Sequence, residues 1–164
     1  MNRKPNRLEG YDYSQSGVYF LTVCTKGHLK ILSRIVGRGL PDAPMVELTE
    51  TGMAVDAAIC YLHEHMDGIS VESYVIMPNH LHLLIRVTEG ASGRPRPTVN
   101  RRQNAAIPRF ISSMKRYTNR VCGQQLWQNS YYDHIVRDEK DYLTRQRYME
   151  NNPARWADDP YYSL

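Results

Sequence analysis

The segment Ile69 to Val87, ISVESYVIMPNHLHLLIRV, constrains the fold more than any other part of the chain. Pro78-Asn79 is a turn pair, with proline presetting φ at the first central position. The pattern predicts a strand over Ile69–Met77 and a returning strand over His80–Val87, joined as a tight antiparallel hairpin. Side chains two apart on a strand share a face. Leu81, Leu83, Ile85 and Val87 therefore form one unbroken apolar row that must face a core, and His80 and His82 face the other side beside Leu84.

Other elements follow from periodicity and punctuation. Val18–Cys24 (VYFLTVC) reads as a buried strand. Ile31–Pro44 carries Gly37, Gly39, Pro41 and Pro44 and reads as an irregular excursion or loose hairpin, with a short strand at Met45–Leu48. Thr49 or Thr51 caps a helix running to about Met66, whose Val55, Ile59, Leu62 and Met66 form one stripe. A second helix has Pro108 in its first turn and Ile107, Phe110, Ile111, Met114, Tyr117 and Val121 as its buried stripe. Leu126–Gln128 suggests a short strand. A third helix begins near Asp138 and ends before Asn151-Asn152-Pro153, since a residue preceding proline avoids the α region. The order implies an α+β fold, an antiparallel sheet with packed helices in a ferredoxin-like or RRM-like arrangement. Residues 1–164 read as a single domain with a basic N-terminal arm (1–10) and a mobile basic loop (88–104).

Charge is segregated. Gly39 to Ile85 holds seven acidic residues and no Lys or Arg, whereas Gly90 to Tyr132 holds eight basic residues and no Asp or Glu. A one-signed stretch of that length makes a local field that attracts a polyanion, and nucleic acid is the natural partner. A solvated basic face is the plainer alternative. The apolar share of 41% excludes a wholly disordered chain, and no apolar run is long enough to span a bilayer. The N-terminus lacks the apolar stretch of a secretory signal. Cys24, Cys60 and Cys122 fit neither a disulfide framework nor a zinc site, so reduced thiols in a cytoplasm are expected.

Two imidazoles side by side on one sheet face make half of a divalent-metal site. Taken alone, the pair is weak evidence for a metal and fits two half-buried histidines bonded to backbone better. His63 and His65 point apart on a helix and His28 is isolated, so all three are expected at the surface.

The chain resembles a known family through several segments. Tyr74–Val87 (YVIMPNHLHLLIRV) looks like the HUH motif, histidine–hydrophobe–histidine, of single-tyrosine transposases. Phe110–Arg120 (FISSMKRYTNR), Leu126–Asp138 (LWQNSYYDHIVRD) and Tyr148–Trp156 (YMENNPARW) look like REP-associated tyrosine transposases. The resemblance implies a metal-dependent single-stranded DNA endonuclease and transposase that nicks and rejoins DNA beside hairpins. A tyrosine would become linked to the 5′ end, and Mg or Mn would polarise the phosphate. It places the nucleophile a few residues after Trp127-Gln128, which matches Tyr131, and His134 lies three residues further. If that segment is helical, the two share a face, and His134 is the third metal ligand beside His80 and His82. Arg94, Arg96, Arg101 and Arg102 in the loop, and Lys115, Arg116 and Arg120 on the second helix, are the expected DNA contacts.

Mobile members of the wider family carry glutamine as third ligand four residues after the tyrosine. Here Ile135 stands four after Tyr131, which favours the REP-associated branch. The family includes obligate dimers and monomers, so either a monomer or a homodimer is compatible. Two rival readings remain. A non-catalytic nucleic-acid-binding protein on an RRM-like sheet would present stacking aromatics where this hairpin presents histidines. A water-using metal nuclease would want several carboxylates near the metal, where Asp133 stands alone.

Overall fold

A computed structural model of the chain describes residues 16–37, 44–88 and 106–162. The elements run β1 (Gly17–Cys24), β2 (Ser33–Val36), β3 (Met45–Leu48), α1 (Glu50–His65), β4 (Ile69–Ile76), β5 (His80–Val87), α2 (Ala106–Cys122), β6 (Tyr132–Val136) and α3 (Glu139–Asn151). The main sheet has the order β4-β5-β1-β6 with each neighbouring pair antiparallel, and β2 and β3 form a separate hairpin. β1 and β4 are separated by β5, which is the split βαβ pattern of a ferredoxin-like α+β fold.

The expected hairpin forms, and its alternation sorts the two faces. Leu81, Leu83, Ile85 and Val87 join Tyr19, Leu21 and Val23 in the main core, which α1 fills with Val55, Ala58 and Ile59 and α2 with Ile107, Phe110, Ile111 and Met114. The opposite face carries a smaller core, Val18, Phe20 and Leu84, closed by Met149 of α3. The sheet is therefore sandwiched, with α1 and α2 on one side and α3 on the histidine side. No helix among the described residues is long and apolar enough to cross a membrane.

Local signals set the helix ends. Thr49 accepts the Gly52 N–H at 3.1 Å, capping α1, and its hydroxyl donates toward the Ile31 and Leu32 carbonyls at 2.6 and 2.9 Å. Asp138 caps α3 by accepting the Asp141 N–H at 2.8 Å. Gly52 is required by contact rather than by its dihedrals: a Cβ there would overlap the backbone carbonyl of Leu32. We expect Gly52→Ala to cost about 3 kcal/mol, because backbone cannot yield as a side chain does. A urea midpoint within error of wild type would disprove this.

Three expectations are corrected. Leu126–Gln128 makes a single bridge, Thr25 with Trp127, rather than a strand. Residues 132–136 form an edge strand on β1, so the segment around Tyr131 is not helical. The buried stripe of α2 ends at Thr118; Tyr117 and Val121 are exposed. Thr118 takes the inner position because its hydroxyl accepts the Trp127 indole N–H at 2.9 Å and donates to the Met114 carbonyl at 2.8 Å. The N-terminal arm and nearly all of the 88–104 loop lie outside the described residues.

Candidate active site

His80 is the first residue of β5, directly after the Pro78-Asn79 turn, and pairs with Cys24 of β1, while His82 pairs with Thr22. Both imidazoles are buried. Their outer nitrogens are held. Asn79 donates its amide N–H to the Tyr161 carbonyl at 2.7 Å, which turns its Oδ1 toward His80 Nδ1 at 2.9 Å. A carbonyl oxygen can only accept, so His80 carries its proton on Nδ1 and points the Nε2 lone pair inward. Thr22 Oγ1 holds His82 Nδ1 at 2.8 Å, and the two Nε2 atoms converge to 3.1 Å.

Burial pushes the His80 pKa down to about 4, and burial with the neighbouring His80 pushes His82 well below its usual value. Both rings are thus neutral near pH 7, the form that binds metals. A depressed folded pKa contributes stability that is present above about 6.5, the unfolded value, and is lost as pH falls toward 4. The metal-free protein should therefore lose melting temperature through that window. A melting temperature flat from pH 6.5 to 4 would show that the pair is not buried neutral.

The third side of the pair is closed from the C-terminal segment. His80, His82 and Asp159 offer ligand atoms that all lie within 4.8 Å of one another, and all three residues are buried. Asp159 Oδ2 is 4.0 Å from His80 Nε2 and accepts the Asn152 amide N–H at 2.8 Å, while its Oδ1 accepts the Tyr161 N–H at 2.8 Å. Asn152 Oδ1 is buried without a hydrogen-bond partner. An orphaned carbonyl oxygen beside two inward lone pairs and a carboxylate is a donor set that fits a divalent cation.

His134 does not join this group. It lies on β6 opposite Phe20, and its Nε2 is bound to Asp141 Oδ2 of α3 at 2.7 Å. Tyr131 also lies elsewhere: it packs against the main core on the α1/α2 side, with Lys115 Nζ 6.0 Å from its ring. Strand alternation explains the failure, since residues three apart share a helix face but fall on opposite faces of a strand. Two tyrosines meet the histidines: Tyr161 lies against His80, and Tyr148 of α3 lies against His82. Its ring centroid is 5.2 Å from that of His82 and 6.1 Å from that of Phe20. Burial and the Asp159 charge raise its pKa, opposed by a hydrogen bond from Asn152 and by the Arg145 charge. Asn152 stands one helical turn further, four residues after Tyr148, the spacing that the sequence resemblance implies for a third ligand in mobile transposases. That spacing was readable in YMENNPARW. Asp159 and Tyr161, whose ring lies 4.6 Å from that of His80, follow the proline break and left no such signal.

The expected DNA-contact residues divide. Arg94, Arg96, Arg101 and Arg102 lie outside the described residues. Arg116 and Arg120 are exposed on α2, across the sheet from the histidines. Lys115 is turned inward: its ammonium donates to the Gln128 carbonyl at 2.6 Å, with those of Ser130 and Asn129 at 3.3 and 3.4 Å, and burial lowers its pKa to about 8. His28 is also no bystander. It bonds Gln128 through Nε2 at 2.9 Å and stacks near Tyr161 at 6.1 Å. Beside the histidine pair, Tyr148, Asn152 and Asp159 line an open cleft of about 460 Å³ together with Arg147 and Arg155.

Comparisons with known proteins agree with this architecture. An uncharacterised Haemophilus influenzae protein is 28% identical over 98% of this chain and 93% of its own length. Another from the same organism, provisionally named a REP-associated tyrosine transposase, is 23% identical over 88% of this chain and 74% of its own. A solved structure of a REP-associated tyrosine transposase bound to a REP hairpin superposes with a TM-score of 0.64 at 19% identity, covering 94% of this chain and 81% of that one, and so shares the fold. The family described as "Transposase IS200 like" matches residues 53–152, which span the β4–β5 hairpin with both histidines and end at Asn152. With well over half of its length matched, the chain belongs to the IS200-like transposase family.

Proposed function

We propose that the protein nicks and rejoins single-stranded DNA beside hairpins, with Tyr148 as nucleophile and a divalent ion, Mg or Mn, held by His80, His82, Asp159 and Asn152. The observation that carries the reading is the packing of the Tyr148 ring against His82, with Asn152 one turn beyond it. The hairpin partner is supported by the bound REP hairpin in the solved structure of the same fold.

The chain's own groups supply most of the chemistry. The Tyr148 oxygen gives up its proton and attacks the scissile phosphorus. The bond from phosphorus to the 3′ oxygen breaks, and that oxygen leaves as a hydroxyl after taking up a proton. The product is a phosphodiester between Tyr148 and the 5′ end. A later 3′ hydroxyl reverses the exchange, so bond count is conserved and no ATP is needed. A bound divalent ion would neutralise charge on the non-bridging oxygens. Phe20 meets the tyrosine ring edge-on and Met149 anchors α3 in the smaller core, which together hold Tyr148 beside His82.

The test is a pool of single-stranded hairpin oligonucleotides with randomised flanks, labelled at the 3′ end and incubated with the protein and Mn. A labelled band running with the protein on a denaturing gel is the expected result. No adduct with any hairpin in the pool would refute transesterification and leave a nucleic-acid-binding module.

A further inference from the structure

The geometry points to a phosphate-binding subsite built on Arg145, which grips a backbone phosphate of the strand next to the one that Tyr148 attacks. The inference rests on the proposed nicking reaction for its purpose, and its geometry stands on separate residues. Arg145 lies on α3, three residues before Tyr148, so both project from one helix face. Its guanidinium lies over the Phe20 ring, 5.4 Å from the centroid. The same ring stacks on His82 at 5.1 Å and meets Tyr148 at 6.1 Å. One aromatic side chain thus carries the cation, the metal-ligand candidate and the tyrosine.

The arginine is braced on its inner edge. Asp141 Oδ1 accepts Arg145 Nε at 3.3 Å, and one terminal nitrogen sits 3.3 Å from His134 Nε2. Asp141 Oδ2 is itself held by His134 Nε2 at 2.7 Å and by the Arg137 backbone N–H at 3.2 Å. These bonds outweigh burial and hold the Asp141 carboxyl below its ordinary pKa, so it remains a fixed anion. The side chain of Arg145 is 30% exposed. Asp141 takes the Nε edge, and the far terminal nitrogen has no hydrogen bond among the described residues. A guanidinium aimed by a carboxylate and laid on an aromatic ring, with a donor left over, suits a phosphate oxygen. A free arginine has the freedom of several side-chain torsions to lose on binding; this one is already held by Asp141 and the Phe20 ring. The role sought from His134 as a metal ligand is thereby replaced by one of positioning Asp141.

The test pairs a protein change with a DNA change. Take the hairpin oligonucleotide that the protein binds most tightly from a randomised single-stranded pool, and replace its phosphates one at a time by uncharged methylphosphonates. Measure affinity and single-turnover adduct formation for wild type, Arg145→Gln and Arg145→Lys. At one position close to the cleavage point, wild type should lose about 10- to 100-fold in adduct formation, the scale of one charge-assisted hydrogen bond. Arg145→Gln should show the same loss on unmodified DNA and no further loss on that methylphosphonate. Arg145→Lys should recover part of the rate, with melting temperature and Mn affinity unchanged in both variants. If the losses multiply at every position, or Arg145→Gln reacts and binds as wild type does, the subsite is refuted. If Arg145→Gln fails to fold, the same cycle on Arg145→Lys decides. If wild type forms no adduct, the nicking reading fails, and the affinity arm alone still shows whether Arg145 meets a phosphate.

Discussion

Tyr148→Phe should abolish the covalent protein–DNA adduct, whereas Tyr131→Phe should form it at close to the wild-type rate. The Tyr148 ring is held by contacts with His82 and Phe20 that phenylalanine keeps. Only the hydroxyl is removed, and with it the oxygen that would bond to phosphorus. Stability should change by less than about 1 kcal/mol, while the rate falls on the order of 10⁴-fold or more, the scale of losing a nucleophile. Tyr131 is half-buried and packs against the main core, on the other face of the sheet from the smaller core that holds Phe20. Tyr132 pairs with Thr22 and is exposed on the histidine side, which makes it the control for a neighbouring phenol. Peptide mapping of the adduct should recover the nucleotide on the α3 peptide. Recovery on the peptide containing Tyr131 or Tyr132, with Tyr148→Phe still reactive, would refute the assignment and keep the enzyme class.

The contrast between these tyrosines shows what the sequence could and could not reveal. The β4–β5 hairpin was legible because its period-two pattern and its Pro-Asn turn are both local. The ends of α1 and α3 were legible for the same reason, since Thr49 and Asp138 satisfy N–H groups within one turn. The conformation of Tyr131–His134 was not, because YYDHIV becomes a strand only by pairing with the free edge of β1. A helix would place Tyr131 and His134 on one face; the strand instead sets His134 beside Phe20 and leaves Tyr131 against the main core. Lys115 misled for a related reason. Its position on the helix is outside the apolar stripe, and only the arrival of the 128–130 carbonyls shows that its charge is spent internally. Asp159 needed long-range closure, since it reaches His80 from the far end of the sequence.

Substituting either His80 or His82 by alanine should remove Mn binding and adduct formation together, while hairpin binding is largely retained. Each imidazole would supply one nitrogen donor oriented by a fixed partner, Asn79 for His80 and Thr22 for His82. Loss of an oriented second partner alone typically costs 10- to 100-fold in metal affinity, and loss of a ligand should exceed about 100-fold. Asp159→Asn keeps the shape and removes the charge; it should weaken Mn by about 10- to 100-fold, with a smaller loss for Asn152→Ala. The His80 pKa near 4 adds a pH signature. Protons compete with a metal only where the ligand would be protonated, so Mn affinity should stay level from pH 7.5 to about 5 and fall as the pH approaches 4, whereas an unshifted imidazole would already lose affinity below about 6.5. The measurement is Mn titration by electron paramagnetic resonance on the folded variants, run beside the adduct gel. Normal cleavage by the His80→Ala, His82→Ala double variant would remove the metal from the mechanism. Loss of Mn in that variant with Asp159→Asn unaffected would leave the metal and take away its carboxylate, returning the third position to Asn152 alone.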